Sequence, residues 1–215
     1  MMDFKRQIAM FDPSKHEQVH CIIVGCGNIG SHTALALARM GVKKFSLIDF
    51  DTVEGHNLSS QAFLHGDIGR LKVDALADLI TAISPEIEVE KNGVPFLKAK
   101  ISMSKDTIVI SAVDSMATRA VIAETITALS PNTFVIDGRL GGGQIELYAQ
   151  KARAWGATLV DGDDADPCGA RYISYTSYII AGCIANTLKR YLQGEKYTSK
   201  LLIHSNNYEI IKTML

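Results

Sequence analysis

No two cysteines of this chain form a C-x-x-C pair, and none of its apolar runs is long. The four cysteines, Cys21, Cys26, Cys168 and Cys183, have no metal-like spacing. That excludes a cysteine-held structural zinc and leads us to expect no zinc. The six histidines likewise share no metal spacing. The apolar stretch from Tyr178 to Cys183 is soon broken by Asn186 and Lys189, far short of a membrane span. Neither sign of charge dominates: 22 Lys and Arg against 23 Asp and Glu leave a net charge of -1. Such a balance gives no reason to expect nucleic acid or an anionic membrane as partner. The N-terminus is polar and carries no secretory pattern, so reduced thiols in a cytoplasmic protein are expected. Repeats, low-complexity tracts and interdomain linkers are also missing. What remains is one globular domain over residues 1–215, 47% hydrophobic and large enough for a full core.

The chain alternates strand-like and helix-like segments. Val19 to Val24 is a continuous apolar run, as in a buried parallel strand, and Ser31 to Met40 reads as a helix stopped by Gly41. Further strands are expected at Lys44 to Asp49, Glu86 to Asn92, Thr107 to Ala112 and Phe134 to Asp137, with helices at Val73 to Ile83 and Ala117 to Leu129. Gln144 to Gln150 alternates with period two and begins an antiparallel continuation. Tyr175 to Leu192 is a long, largely buried helix, and Leu201 to Leu215 leaves room for about one more strand. The pattern predicts an α/β, Rossmann-like, mostly parallel sheet with helices on both faces and an antiparallel C-terminal continuation.

Chemistry concentrates between Gly25 and Lys72. Gly25-Cys-Gly-Asn-Ile-Gly30 sits between a strand and a helix. There Gly25 and Gly27 let backbone approach a phosphate, and Gly30 lets helix pack on strand. Asp49 follows about 20 residues later, where a carboxylate accepts ribose hydroxyls. Those features suit NAD and ATP equally, so an NAD(P)-dependent oxidoreductase stays open on them alone. Asp51, the amide-bearing turn Asn57-Leu-Ser-Ser-Gln61 and Lys72 fit a triphosphate and its metal better than a nicotinamide. Asp51 read alone is a solvated turn residue, and Lys72 a solvated charge on an exposed helix start. Asp114, after a buried strand, is a candidate magnesium ligand or a cap for the helix that follows.

Together these residues resemble the MoeB/ThiF adenylyltransferases and the adenylation half of ubiquitin-activating enzymes, from Phe4 to about Tyr191. The matching positions are Arg6-Gln7-Ile8, Gly25 to Gly30, Asp49-Phe-Asp-Thr-Val53, Asn57-Leu58 with Gln61, Asp67-Ile-Gly69 with Lys72, and Asp114. The resemblance implies an ATP-dependent adenylyltransferase using Mg²⁺. Its substrate would be the C-terminal carboxylate of a small ubiquitin-like or sulfur-carrier protein ending in Gly-Gly, with pyrophosphate released. It further implies that Asn28, Asp49, Asn57, Gln61 and Lys72 line the nucleotide and that Asp114 serves the metal. Arg6 would enter a partner subunit's site, which implies a homodimer.

Two local features qualify that expectation. Ser60 stands where the family pattern has an arginine beside the phosphates. Arg6, Arg70 and Arg139 are candidates to replace its charge, and a non-catalytic nucleotide-binding partner subunit is the alternative function. Cys168, in Asp166-Pro-Cys-Gly-Ala-Arg171, looks like the context of thioester-forming cysteines in ubiquitin-type activating enzymes. Arg171 would lower its pKa and the nearby aspartates would raise it. Cys21, Cys26 and Cys183 are expected to be packing residues, as are Tyr172, Tyr175 and Tyr178.

Overall fold

Five segments rich in β-branched and apolar residues run parallel, and three more return antiparallel. A computed structural model describes residues 2–159 and 173–214. The elements are β1 (His20–Val24), α1 (Asn28–Met40), β2 (Lys44–Ile48), α2 (Lys72–Ile83), β3 (Glu88–Asn92), β4 (Thr107–Ser111) and α3 (Met116–Leu129). They continue with β5 (Phe134–Gly141), β6 (Gln144–Lys151), α4 (Ala152–Trp155), α5 (Ser174–Leu192), β7 (Thr198–His204) and β8 (Glu209–Met214). Among the described residues they build one sheet ordered β3-β2-β1-β4-β5-β6-β7-β8. The first five strands in that order pair parallel, and β5 through β8 pair antiparallel.

Strand alternation divides the interior into two cores. Cys21 and Ile23 of β1 pack with Leu37 of α1, Ile80 of α2 and Ile184 of α5. Ile22 and Val24 pack on the other face with Ile122 and Ile126 of α3 and Trp155 of α4. Buried central strands covered on both faces are what a parallel sheet requires. The edge strand β3 instead exposes Glu88, Glu90 and Lys91, and charge on an edge discourages pairing with another chain.

Three features here differ from the sequence expectation, each for a local reason. β5 runs on past Asp137 to Gly141 because its hairpin turn is Gly142-Gly143, with φ of +56° and +97°. A two-residue turn with both φ positive matches the twist of the flanking strands. The C-terminal segment makes two strands, not one, because Ser205 to Tyr208 turns the chain back on itself. Tyr175 and Tyr178 do not pack inside: they are 43% and 62% exposed. Helix α5 buries its Ile180, Ile184 and Leu188 stripe, which leaves these two rings outside. Tyr172 lies outside the described residues. Cys21 and Cys26 are buried as expected, and Cys183 is half-buried; burial pushes the Cys21 thiol up to about 12.

Candidate nucleotide site

Sheet order reverses between β1 and β4, and open α/β sheets hold their ligands at such a switch point. A cavity of about 540 Å³ opens there, beyond the carboxyl ends of β1, β2, β4 and β5. The glycine loop forms its floor. Gly25 has φ +89°, and a Cβ on it would stand 2.7 Å from the Ala112 carbonyl of the neighbouring strand end. A Cβ on Gly30 would lie only 1.8 Å from the Gly25 carbonyl, so this glycine permits helix α1 to close over the loop. At Gly27 the nearest atom to an added Cβ is Gln61 Nε2 at 3.9 Å, which leaves open room for a ligand. Helix α1 begins at Asn28, three residues earlier than its sequence pattern predicts. Its unpaired first-turn amides therefore point at the loop and carry the positive end of the helix dipole.

The acidic strand end is held by backbone. Asp49 Oδ2 accepts from the Cys26 amide at 2.7 Å, and Oδ1 accepts from the Asp51 amide at 2.8 Å. Burial pushes the Asp49 carboxyl above its usual range, and those two amides oppose the shift. Cys26 shares this site as a deeply buried thiol, raised by burial and then by the Asp49 charge, so it is no nucleophile.

Lys72 departs most from its sequence expectation. It opens α2 yet is only 7% exposed. Its amide donates to the Asp51 carbonyl at 2.9 Å and its Nζ to Asp51 Oδ2 at 2.8 Å. Val53 also pairs with Gly69 and Arg70, so the chain around Asp51 is stitched to the start of α2. That stitching draws the lysine inward and makes Asp51 an ion-pair partner rather than a free turn residue.

The amide-bearing turn works as a scaffold. Asn57 is buried, with its Oδ1 accepting from the Glu54 amide at 2.9 Å. The Ser60 carbonyl accepts from His32 Nε2 at 3.0 Å and from Ser177 Oγ at 3.2 Å, which ties the turn to α1 and α5. Burial keeps the His32 ring below its usual range, hence neutral. Ser177 Oγ has a single proton for the Ser60 carbonyl and the adjacent Asn28 Oδ1, and buried Asn28 Nδ2 and Gln61 Oε1 have no partner. Buried polar atoms left unpaired are costly, and a polyanionic ligand would satisfy the Asn28 donor.

Of the sequence-derived candidates, Gly25, Gly27, Asn28, Asp49, Asp51, Lys72 and Asp114 line the cavity, whereas Gly30, Asn57 and Gln61 do not. Asp114 is exposed at the mouth, and the cap of α3 is Ser115, whose hydroxyl accepts from the Thr118 amide. Arg6 is exposed on a turn whose Gln7 bonds the Met40 carbonyl, at the far end of α1 from the loop. Arg70 is engaged by Asp67 and Asp78 and does not reach the cavity wall. Cys168 lies outside the described residues.

Sequence reasoning gave Arg139 a minor place and missed Arg119; both line the cavity. Asp137, with no exposed surface, receives Arg119 Nε on Oδ1 at 2.9 Å and Arg139 Nε on Oδ2 at 2.8 Å. Trp155 Nε1 adds a 3.3 Å bond to Oδ2. An acid-x-arginine pair at a strand end was the available signal. The apolar wall, with Ile48, Phe50, Phe96 and Met116, suits a flat base.

A family model described as the ThiF family matches residues 4–214. The chain belongs to the ThiF family. It is 32% identical over 105 residues to a Mycobacterium tuberculosis ThiF-family relative named probable adenylyltransferase/sulfurtransferase MoeZ, covering 47% of this chain and 26% of that protein. It is 32% identical over 128 residues to the Escherichia coli molybdopterin-synthase adenylyltransferase, covering 55% of this chain and 51% of the relative. The matched region is thus about a quarter to a half of these curated relatives. A crystal structure of PaaA superposes with a TM-score of 0.79 at 21% identity, over 98% of this chain and 72% of that one. E. coli MccB solved with ATP gives 0.75 at 16% identity, over 93% and 64%. At those identities the likeness speaks for the ThiF fold.

Proposed function

We propose that this chain adenylates a carboxylate with ATP. The observation that carries the reading is a buried Lys72, paired with Asp51, in the wall of a glycine-loop cavity whose Asp49 carboxylate is fixed by two backbone amides. Relatives named adenylyltransferases and a neighbour solved with ATP support it. A carboxylate oxygen of a small ubiquitin-like or sulfur-carrier protein with a Gly-Gly end attacks the α-phosphorus. Pyrophosphate leaves, and an acyl adenylate remains. The loop amides and Lys72 face the charge that builds on the phosphates.

Among the described residues no three His, Cys, Asp or Glu side chains are grouped to hold a metal by themselves. Mg²⁺ commonly takes one or two carboxylates and completes its shell with phosphates and water, and Asp114 at the mouth fits that share. Bound there, the ion neutralises phosphate charge. The exposed turn with Arg6 and Ile8 is suited to reach a second copy, so the working form is a homodimer completed in trans.

ATP–pyrophosphate exchange with a candidate carrier tests this reading, together with calorimetry and sedimentation. ATP binding, exchange and a dimer are expected. Binding of NAD without ATP would reverse the assignment, and ATP binding without exchange by any carrier would leave a non-catalytic partner subunit, the outcome that Ser60 favours. Cys168 supplies the finer step: its thiolate attacks the adenylate carbonyl, AMP leaves, and a thioester joins enzyme to carrier. Cys168→Ala is expected to spare exchange and to abolish a reductant-labile adduct on gels. No such adduct in the unsubstituted enzyme, with exchange robust, would remove the relay.

A further inference from the structure

Arg139 is held more firmly than a surface arginine and stands apart from the nucleotide-side residues. Its Nε and a terminal nitrogen meet Asp137 Oδ2 at 2.8 and 2.7 Å. The guanidinium carbon lies 4.2 Å from the Tyr148 ring centroid, which fixes the plane of the fork. The remaining contacts, to the Thr158 carbonyl and hydroxyl, are long at 3.5 and 3.4 Å. Arg119 occupies the other oxygen of Asp137, so two guanidiniums share one carboxylate. Within this cluster that leaves one net positive charge, with Asp114 at the neighbouring β4 end and Asp49 and Asp51 on the other side of the cavity. Nη1 is held only by the long Thr158 contact, so the guanidinium keeps a terminal N–H donor to offer a carboxylate.

Strand order supplies a ruler. Asp49 follows β2, the glycine loop follows β1, Asp114 follows β4, and Arg139 is on β5. Neighbouring strands are about 4.8 Å apart, so Arg139 stands roughly 14 Å from the Asp49 end. With a ribose at Asp49 and phosphates over the glycine loop, Arg139 lies beyond the α-phosphate, on the side open to the attacking group. Resting on the adenylation reading above, we infer that Arg139, preset by Asp137 and Tyr148, positions the free carboxylate of the acyl substrate for attack.

The test uses the full chain loaded with α,β-methylene ATP, which cannot release pyrophosphate, and two probes, glycylglycine and glycylglycinamide. Titration followed by saturation-transfer NMR should show the carboxylate probe binding about tenfold more tightly than the amide, the scale of one charge-assisted hydrogen bond. Arg139→Ala should erase that preference and cost nucleotide affinity less than it costs the carboxylate probe, and Arg139→Lys should restore part of the preference, with folding of both variants checked by near-UV circular dichroism. Equal binding of the two probes by the unsubstituted chain overturns the inference. So does a preference that survives Arg139→Ala, or a variant that loses nucleotide affinity instead, which would put Arg139 on the phosphates. Failure to bind α,β-methylene ATP at all would instead sink the adenylation reading, and the inference with it.

Discussion

Lys72→Ala is expected to lower ATP–pyrophosphate exchange by about 100- to 1000-fold, the usual cost of losing one preorganised electrostatic contact to a transition state. The residue meets both requirements for such an effect. It is nearly buried, so its charge acts in a poorly screened setting, and Asp51 holds its Nζ at 2.8 Å. Stability should change far less. Asp51 is half-exposed in its side chain, so removing the lysine leaves a carboxylate that water can solvate. Pairs of that kind contribute about 1 kcal/mol or less. Exchange kinetics and a urea melt on the same preparation separate the two effects. A variant that exchanges normally but unfolds early would make Lys72 a structural tether, and the triphosphate assignment would lose its main support.

How much of this was legible in the sequence depends on the range of the forces involved. The parallel half of the sheet was readable because its signals are local, an apolar run before Gly25 and a glycine stop at Gly41, and alternation from Gln144 marked the antiparallel continuation in the same way. The switch point followed, and with it the positions of Gly25, Gly27, Asp49 and Asp114. Lys72 was placed correctly in the chain but misjudged in burial, since what covers it is the pairing of residues 51–53 with 69–72. That pairing leaves no periodic trace. The second C-terminal strand was missed because its turn, Ser205 to Tyr208, uses Asn and a Tyr with φ +58° in place of glycine. Arg119 was hidden most completely, because its partner is 18 residues away on another element. Only the fold brings Asp137 between two arginines.

Asp137→Ala is expected to be the most destabilising single change at the site, costing about 3–5 kcal/mol. The carboxylate has no exposed surface, and the Arg119 side chain is 5% exposed. Deleting the acid leaves a guanidinium with no counter-charge inside α3, the situation in which a buried charge cannot recover its hydration. Arg139 is closer to the cavity, 16% exposed, and can turn toward water, so most of the loss falls on Arg119. Asp137→Asn separates charge from shape. The amide keeps one acceptor oxygen and nearly the same volume, so it should lose less than Ala while still freeing Arg139 from its fixed pose. Native domains are stable by only about 5–15 kcal/mol, so the Ala variant should approach the limit of folding and the Asn variant should not. Urea midpoints at unchanged slope give the comparison directly. An Ala variant within about 1 kcal/mol of the original would mean that water already reaches the cluster. In that case Asp137 does not preset Arg139, and the cavity's basic wall is a mobile surface rather than a fixed one.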